Sequence, residues 1–280
     1  MSILFKKRRN VTLVPNYVVL ILLTIFALGP LVVLGFNSLK DSAELGSNPL
    51  GPPKQMILEN YPQAWEQGNF STTIRNSAIL VVGTVAGVLV FGGMAAYSLS
   101  RLKMRGSDAL IIYLLVISTL PIQLFLVPLY SLWRNLGLLN NLFGLILIYI
   151  AVMSPFPIFL LRSYMLQLSP DFEDAARVDG ANEWQILWKI VIPLSWPGFL
   201  TTGLVVALGV WNEFLLATVF LTNENLFTIA TSYFQFTRRF GVDWSLTSAA
   251  AMFMIIPVLV LFLIFQKPFI EGLTQGGLKQ

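Results

Sequence analysis

The 280-residue sequence contains neither cysteine nor histidine. The first absence excludes disulfides, thiolate–zinc sites and thiol nucleophiles. The second removes histidine-held haem and the side chain best suited to proton transfer near neutrality. Charge is scarce too: Asp, Glu, Lys and Arg make up 11% of the chain, against about 25% in soluble domains. No G-x-x-x-x-G-K-[ST] string occurs, so the chain offers no P-loop for ATP. What it has in abundance is apolar side chain, 56% of residues, with a mean hydropathy of +0.73. A soluble globule could not cover that much apolar surface with so few charges. The composition excludes a disordered chain, a basic nucleic-acid-binding domain and an ordinary cytosolic enzyme. It implies an all-α integral membrane protein.

A helix that crosses the hydrocarbon needs about 20 mostly apolar residues. Six stretches qualify, at about 15–36, 77–99, 108–131, 141–162, 196–221 and 247–266, and they are read as one transmembrane domain over 1–280. The first follows Lys6, Lys7, Arg8 and Arg9, but its apolar run is too long for a signal peptide and no A-x-A site follows, so it is read as an uncleaved span. With the N-terminus inside, 12 of the 18 Lys and Arg residues fall on inner segments and six on outer ones. That bias places both termini in the cytoplasm. Gly83 and Gly87 form a GxxxG pair in the second span, a spacing that lets helices approach closely. Pro121 and Pro128 interrupt the third span, Pro155 and Pro157 the fourth, and Pro257 the sixth. Proline frees carbonyls and bends helices.

The longest inner segment, about 163–195, has deliberate helix signals. Ser169 is a good N-cap and Pro170 suits a first helical position. Asp171, Glu173 and Asp174 favour a helix N-terminus, and Gly180 can adopt the left-handed conformation that ends one. Phe172, Ala175 and Ala176 would share a small apolar face. Asn182 and Gln185 suit a capping box for a second helix, whose apolar stripe would be Trp184, Leu187, Trp188 and Val191, with Pro193 ending it. A loop that only joined two spans would need a few residues. This helix–glycine–helix is built to meet a partner.

Asp174-Ala175-Ala176, three residues, Gly180, and nine residues on Ile190-Val191-Ile192-Pro193 resemble the EAA loop of permease subunits in bacterial ATP-binding cassette importers. Asp174 stands where that pattern has Glu, and Ile192 where it has Leu. The fuller string Ala175 to Ala181, with Trp211-Asn212-Glu213-Phe214, Gly241-Val242-Asp243-Trp244 and Phe269 to Thr274, resembles the carbohydrate-uptake branch, and within it the six-span partner of the maltose-type permease pair. The resemblance implies the type I importer permease fold in a bacterial inner membrane, with both termini cytoplasmic. It implies a second homologous permease, two ATPase subunits that hydrolyse ATP in place of this chain, an extracytoplasmic solute-binding protein and a carbohydrate substrate, with no cofactor, no metal, no catalytic residue and no nucleic acid. It assigns ATPase coupling to Glu173, Asp174, Ala175, Ala176, Asp179 and Gly180, and contact with the binding protein to Gln235, Arg238 and Arg239. It also assigns an ATPase contact to the tail at Gln275, Gly276 and Gly277, which the glycines would make flexible. Asn212 and Glu213, at membrane depth, are expected to face the translocation pathway, although a structural hydrogen bond between helices would explain an intramembrane carboxylate equally well. The rival readings are a permease for a non-sugar such as glycerol phosphate, a stand-alone secondary transporter, which would need an internal repeat the sequence does not display, and a membrane-embedded enzyme.

Overall fold

The computed structural model describes residues 14–102 and 104–277, with side chains from 15 to 266 apart from residue 103. Among the described residues there are helices and no strand. In chain order the helices are α1 Val14–Asn37, α2 Ser42–Ser47, α3 Asn60–Gln67, α4 Phe70–Arg101, α5 Ser107–Thr119, α6 Ile122–Asn135, α7 Leu142–Met153, α8 Pro155–Gln167, α9 Asp171–Val178, α10 Glu183–Leu194, α11 Trp196–Asn212, α12 Leu215–Phe220, α13 Ile229–Phe240 and α14 Trp244–Gly277.

Three helices are long and apolar enough to cross a membrane by themselves: Pro15–Asn37, Phe70–Arg101 and Trp244–Gln266. Three more stretches pass the same test only as bent pairs: α5 with α6 at 91°, α7 with α8 at 55°, and α10 with α11 at 79°, the last joining the loop helix α10 to the start of the expected fifth span. All three bends sit beside a proline: Pro121 between α5 and α6, Pro155 at the first position of α8, and Pro197 in the first turn of α11. The expected fifth span, 196–221, is itself interrupted between Asn212 and Leu215.

The chain forms two compact units. Among the described residues, one comprises those up to 64 together with 239–252, and the other 65–238 together with those from 253 onward. In the first, Lys40 is fully buried and its ammonium donates to Asn37 Oδ1 at 3.0 Å and to the Asn48 carbonyl at 2.6 Å. Asn60 donates to the carbonyls of Ser38 and Lys40. A buried ammonium is costly unless its protons are taken up, so these bonds fix the turn that follows α1.

The second unit holds two apolar clusters. One gathers Leu80, Val88, Leu145, Ile148, Tyr149, Val206 and Phe220. The other gathers Ala96, Leu99, Leu161, Met165, Ile186, Leu187, Val191 and Phe199, and so ties the loop helix α10 to α4, α8 and α11. The GxxxG pair makes a close approach. A Cβ on Gly83 would lie 2.6 Å from Ile146 Cδ1, and one on Gly87 would lie 2.2 Å from Ile150 Cδ1. The glycines are thus sockets for isoleucines of α7.

Midway, α4 passes through a π turn, Val88–Gly92, and α10 through another, Leu187–Val191. The second corrects the expected stripe. Leu187 and Val191 are buried, but Trp184 and Trp188 are exposed, and Ile186 takes their place inside. The wider turn brings residues five apart, Ile186 and Val191, onto one face. Likewise Phe172 and Ala175 are exposed, and only Ala176 of the expected face on α9 packs inward.

Candidate functional site: the helix–glycine–helix loop and the break in the fifth span

Helix α9 is entered through Ser169 and Pro170 as the capping signals suggested, and Ser169 Oγ accepts from the Asp171 amide at 3.4 Å. Pro170 is already helical, with φ −56° and ψ −24°, and its carbonyl accepts from the amides of Glu173 and Asp174. Ser169 lies outside and donates to Asp171 Oδ2 at 2.9 Å. The C-terminus matches the expectation. Gly180 has φ +86°. Its amide donates to the Arg177 carbonyl at 3.1 Å, and the Ala181 amide donates to the Ala176 carbonyl at 2.9 Å. These are the two bonds of a Schellman motif, and its apolar contact is made by Ala176 and Ala181, both packed on the inner cluster. The Asn182–Gln185 capping box is complete, with both bonds at 2.9 Å. The turn between the loop helices is therefore fixed from both sides.

The expected coupling residues divide into two groups. Asp174, Ala175, Asp179 and Gly180 are exposed, flanked by Phe172 and by Val178, which is 88% exposed. Glu173 is not on that surface. It is 3% exposed, and its Oε1 lies 2.8 Å from Arg101 Nε, an ion pair off the N–H axis. Its Oε2 lies 3.5 Å from Arg177. The physical reason is position: on a helix whose Ala176 side faces the core, residue 173 shares that face, three positions back.

Arg177 continues the network. It pairs with Asp174 Oδ1 at 2.9 Å and donates to Glu183 Oε1 at 2.9 Å and Oε2 at 3.2 Å. Glu183 Oε2 also accepts from the Tyr97 hydroxyl at 2.5 Å. The Arg177 hydrogen bond, and after it the Tyr97 bond, hold the Glu183 carboxyl below its ordinary value of 4.5. A carboxyl whose folded value is depressed stabilises the fold above its unfolded value, and that contribution disappears as pH falls through the folded value. The loop should therefore resist limited proteolysis at neutral pH and become progressively more cleavable only as pH falls below 4.5 toward the lower folded value of Glu183. Glu183→Gln should raise cleavage of the loop at neutral pH. A cleavage rate in the variant equal to that of the native chain would refute this.

Arg101, Tyr97, Arg177 and Glu183 were not singled out from the sequence as site residues. Their only signals were a cation at the inner end of the second span and a carboxylate beside the capping box.

In the fifth span, Asn212 is exposed and donates to the Leu208 carbonyl at 2.8 Å. Glu213 ends α11, and its carboxylate is fully engaged. Oε1 accepts the Leu216 amide at 2.7 Å, while Oε2 accepts the Ala217 amide at 3.0 Å and the Tyr149 hydroxyl at 2.6 Å. The carboxylate supplies the acceptors that the first amides of α12 lack, and it ties that break to α7. These bonds make Glu213 a structural tie between helices.

On α13, Gln235, Arg238 and Arg239 are exposed, and the Arg238 guanidinium lies 5.9 Å from the Phe234 ring centroid. The helical backbone of α14 continues to Gly277, through the stretch expected to be flexible, and the side chains of Gln275 and its neighbours lie outside the described residues.

Residues 88–273, which include the whole loop, match the family described as binding-protein-dependent transport system inner membrane component. The chain belongs to this family. Similar permeases include that of the diacetylchitobiose uptake system of Streptomyces coelicolor, 31% identical over 93% of this chain and 87% of the relative. Another is that of the arabinooligosaccharide transport system of Bacillus subtilis, 33% identical over 92% of each. A third, of the sulfoquinovosyl glycerol transport system of Agrobacterium fabrum, is 34% identical over 92% of this chain and 91% of the relative. Among solved structures, a chain of a bacterial ABC transporter that imports the acidic polysaccharide alginate superimposes with a TM-score of 0.76 at 28% identity. It covers 91% of this permease and 95% of that chain. The expected type I importer permease fold and inner-membrane setting are those of this family and its solved relative.

Proposed function

We propose that this permease forms half of the translocation pathway of an ATP-driven importer of oligosaccharides, beside a second, homologous permease. Two of its relatives belong to diacetylchitobiose and arabinooligosaccharide uptake systems, a third to a sulfoquinovosyl glycerol system, and its solved relative to alginate import; three of these four substrates are built of several sugar units, which supports an oligosaccharide over glycerol phosphate. A binding protein delivers the sugar from outside, where Gln235, Arg238 and Arg239 of α13 are offered to it. Both termini lie in the cytoplasm. Two ATPase subunits there hydrolyse ATP, and the tail at Gln275, Gly276 and Gly277 reaches them.

The observation that carries the reading is the tip of the loop. Asp174, Ala175, Asp179 and Gly180 form an exposed surface between Phe172 and Val178, on a helix whose opposite face is anchored. Small side chains there allow close approach, and the two carboxylates can meet Arg or Lys of an ATPase groove. A single cysteine tests it, because the chain has none of its own. Ala175 is the position to use, since Ala176 is half-buried. Ala175→Cys should crosslink to a cysteine in the ATPase groove, and Ser47→Cys should not. The opposite pattern would overturn both the docking assignment and the orientation.

A further inference from the structure

Movement imposed on the tip must reach the spans through whatever fastens the loop to them. Part of that fastening is apolar, but apolar contacts are non-directional. The directional part is the polar network built on the buried Arg101–Glu173 pair. Arg101 is the last residue of α4, and its side chain is 8% exposed. Besides facing Glu173, it donates from Nη2 to the Met165 carbonyl at 2.5 Å and the Leu168 carbonyl at 2.8 Å. The Met165 carbonyl also accepts the Leu168 amide at 3.2 Å, so Arg101 grips the turn that closes the end of α8. One turn earlier on the same face of α4, Tyr97 holds Glu183 of α10. Arg177 joins Glu173 to Glu183, so the two grips are linked.

Gly93–Arg101 thus holds both loop helices and the end of α8 at once. Immediately before it lies the π turn Val88–Gly92, and helices bend at such turns.

We propose that Arg101 and Tyr97 are positioning residues which, through Glu173 and Glu183, make the loop and the Gly93–Arg101 segment one body, so that displacement of the loop bends α4 at Val88–Gly92. The proposal rests on the reading of the loop as the ATPase dock. A buried ion pair adds little net stability, because desolvation offsets its attraction. Its role here is to define orientation, which an apolar replacement could not do.

The experiment uses the complete complex with spin labels at Val82→Cys and Ser98→Cys, on either side of the π turn and about 24 Å apart along the helix. Distances are read with and without ATP and vanadate. The native loop should give a shift of several ångströms on trapping nucleotide. Arg101→Ala and Glu173→Gln should trap nucleotide as before and lose the shift, and Arg101→Lys, which keeps the charge, should recover it in part. A full shift in Arg101→Ala would overturn the proposal, as would no shift in the native complex, or loss of trapping in Arg101→Ala, which would make Arg101 part of docking. Absence of any co-purifying ATPase would instead overturn the reading of the loop. Even then, a broadened Val82–Ser98 distance in Arg101→Ala without nucleotide would still report the grip within the chain.

Discussion

Replacing Gly180 by valine is expected to lower binding-protein-stimulated ATP hydrolysis at least tenfold while the complex still inserts and purifies intact. Nothing lies within 4 Å of a Cβ built on Gly180, so no clash opposes the side chain. The cost comes from the backbone. A φ of +86° is one that β-branched residues rarely adopt, and holding one there costs about 1–3 kcal/mol. The chain can relieve that strain by giving up the two bonds that close α9, from Gly180 to Arg177 and from Ala181 to Ala176. The end of α9 then frays, and Ala181 leaves the inner cluster. The damage is confined to the turn between α9 and α10, which is why assembly should survive. Gly180→Asn provides the control, because asparagine tolerates the left-handed region. It should keep most of the activity. Equal activity in the valine and native complexes would show that the turn's geometry does not matter for coupling.

The parts of this loop legible in the sequence are those set by local chemistry. Gly180 and the Asn182–Gln185 box act within four residues of themselves, and both appear as expected. The prolines at 121 and 155 likewise mark the bends between paired helices. What the sequence did not reveal depends on partners far along the chain. Glu173 meets Arg101, 72 positions away, and no periodicity announces that pairing. On sequence alone Glu173 was one of several acids at an exposed tip. In the fold it is the buried one, because the helix turns that face inward. The exposed Trp184 and Trp188 are a different case. An α-helical period was applied across a stretch that winds as a π turn, and the stripe moved with it. Glu213 was recognised as an intramembrane carboxylate, but its use at the break of the fifth span required knowing where α12 begins.

Glu213→Ala is expected to be the most destabilising single change in the spans. It removes the acceptors of three donors, the Leu216 and Ala217 amides and the Tyr149 hydroxyl. Tyr149 is fully buried. Each donor left unpaired in a low-dielectric setting costs about 1–3 kcal/mol, and the break beside α12 has no other polar side chain placed to replace the carboxylate among the hydrogen bonds described. The graded variants follow from counting donors. Tyr149→Phe removes one donor together with its need for an acceptor, so its effect should be the smallest. Glu213→Gln keeps one acceptor oxygen but turns an NH2 toward the other site. The Tyr149 hydroxyl can rotate to accept from it, while the Ala217 amide would face a donor, so an intermediate loss is expected. Thermal unfolding of the solubilised complex should therefore fall in the order Tyr149→Phe, Glu213→Gln, Glu213→Ala. The same series separates this structural tie from a role in the pathway. If Glu213→Ala unfolds at the native temperature yet abolishes uptake, the carboxylate serves the substrate route and the tie is incidental. If uptake falls only in step with the amount of folded complex, the carboxylate holds the broken fifth span against α7.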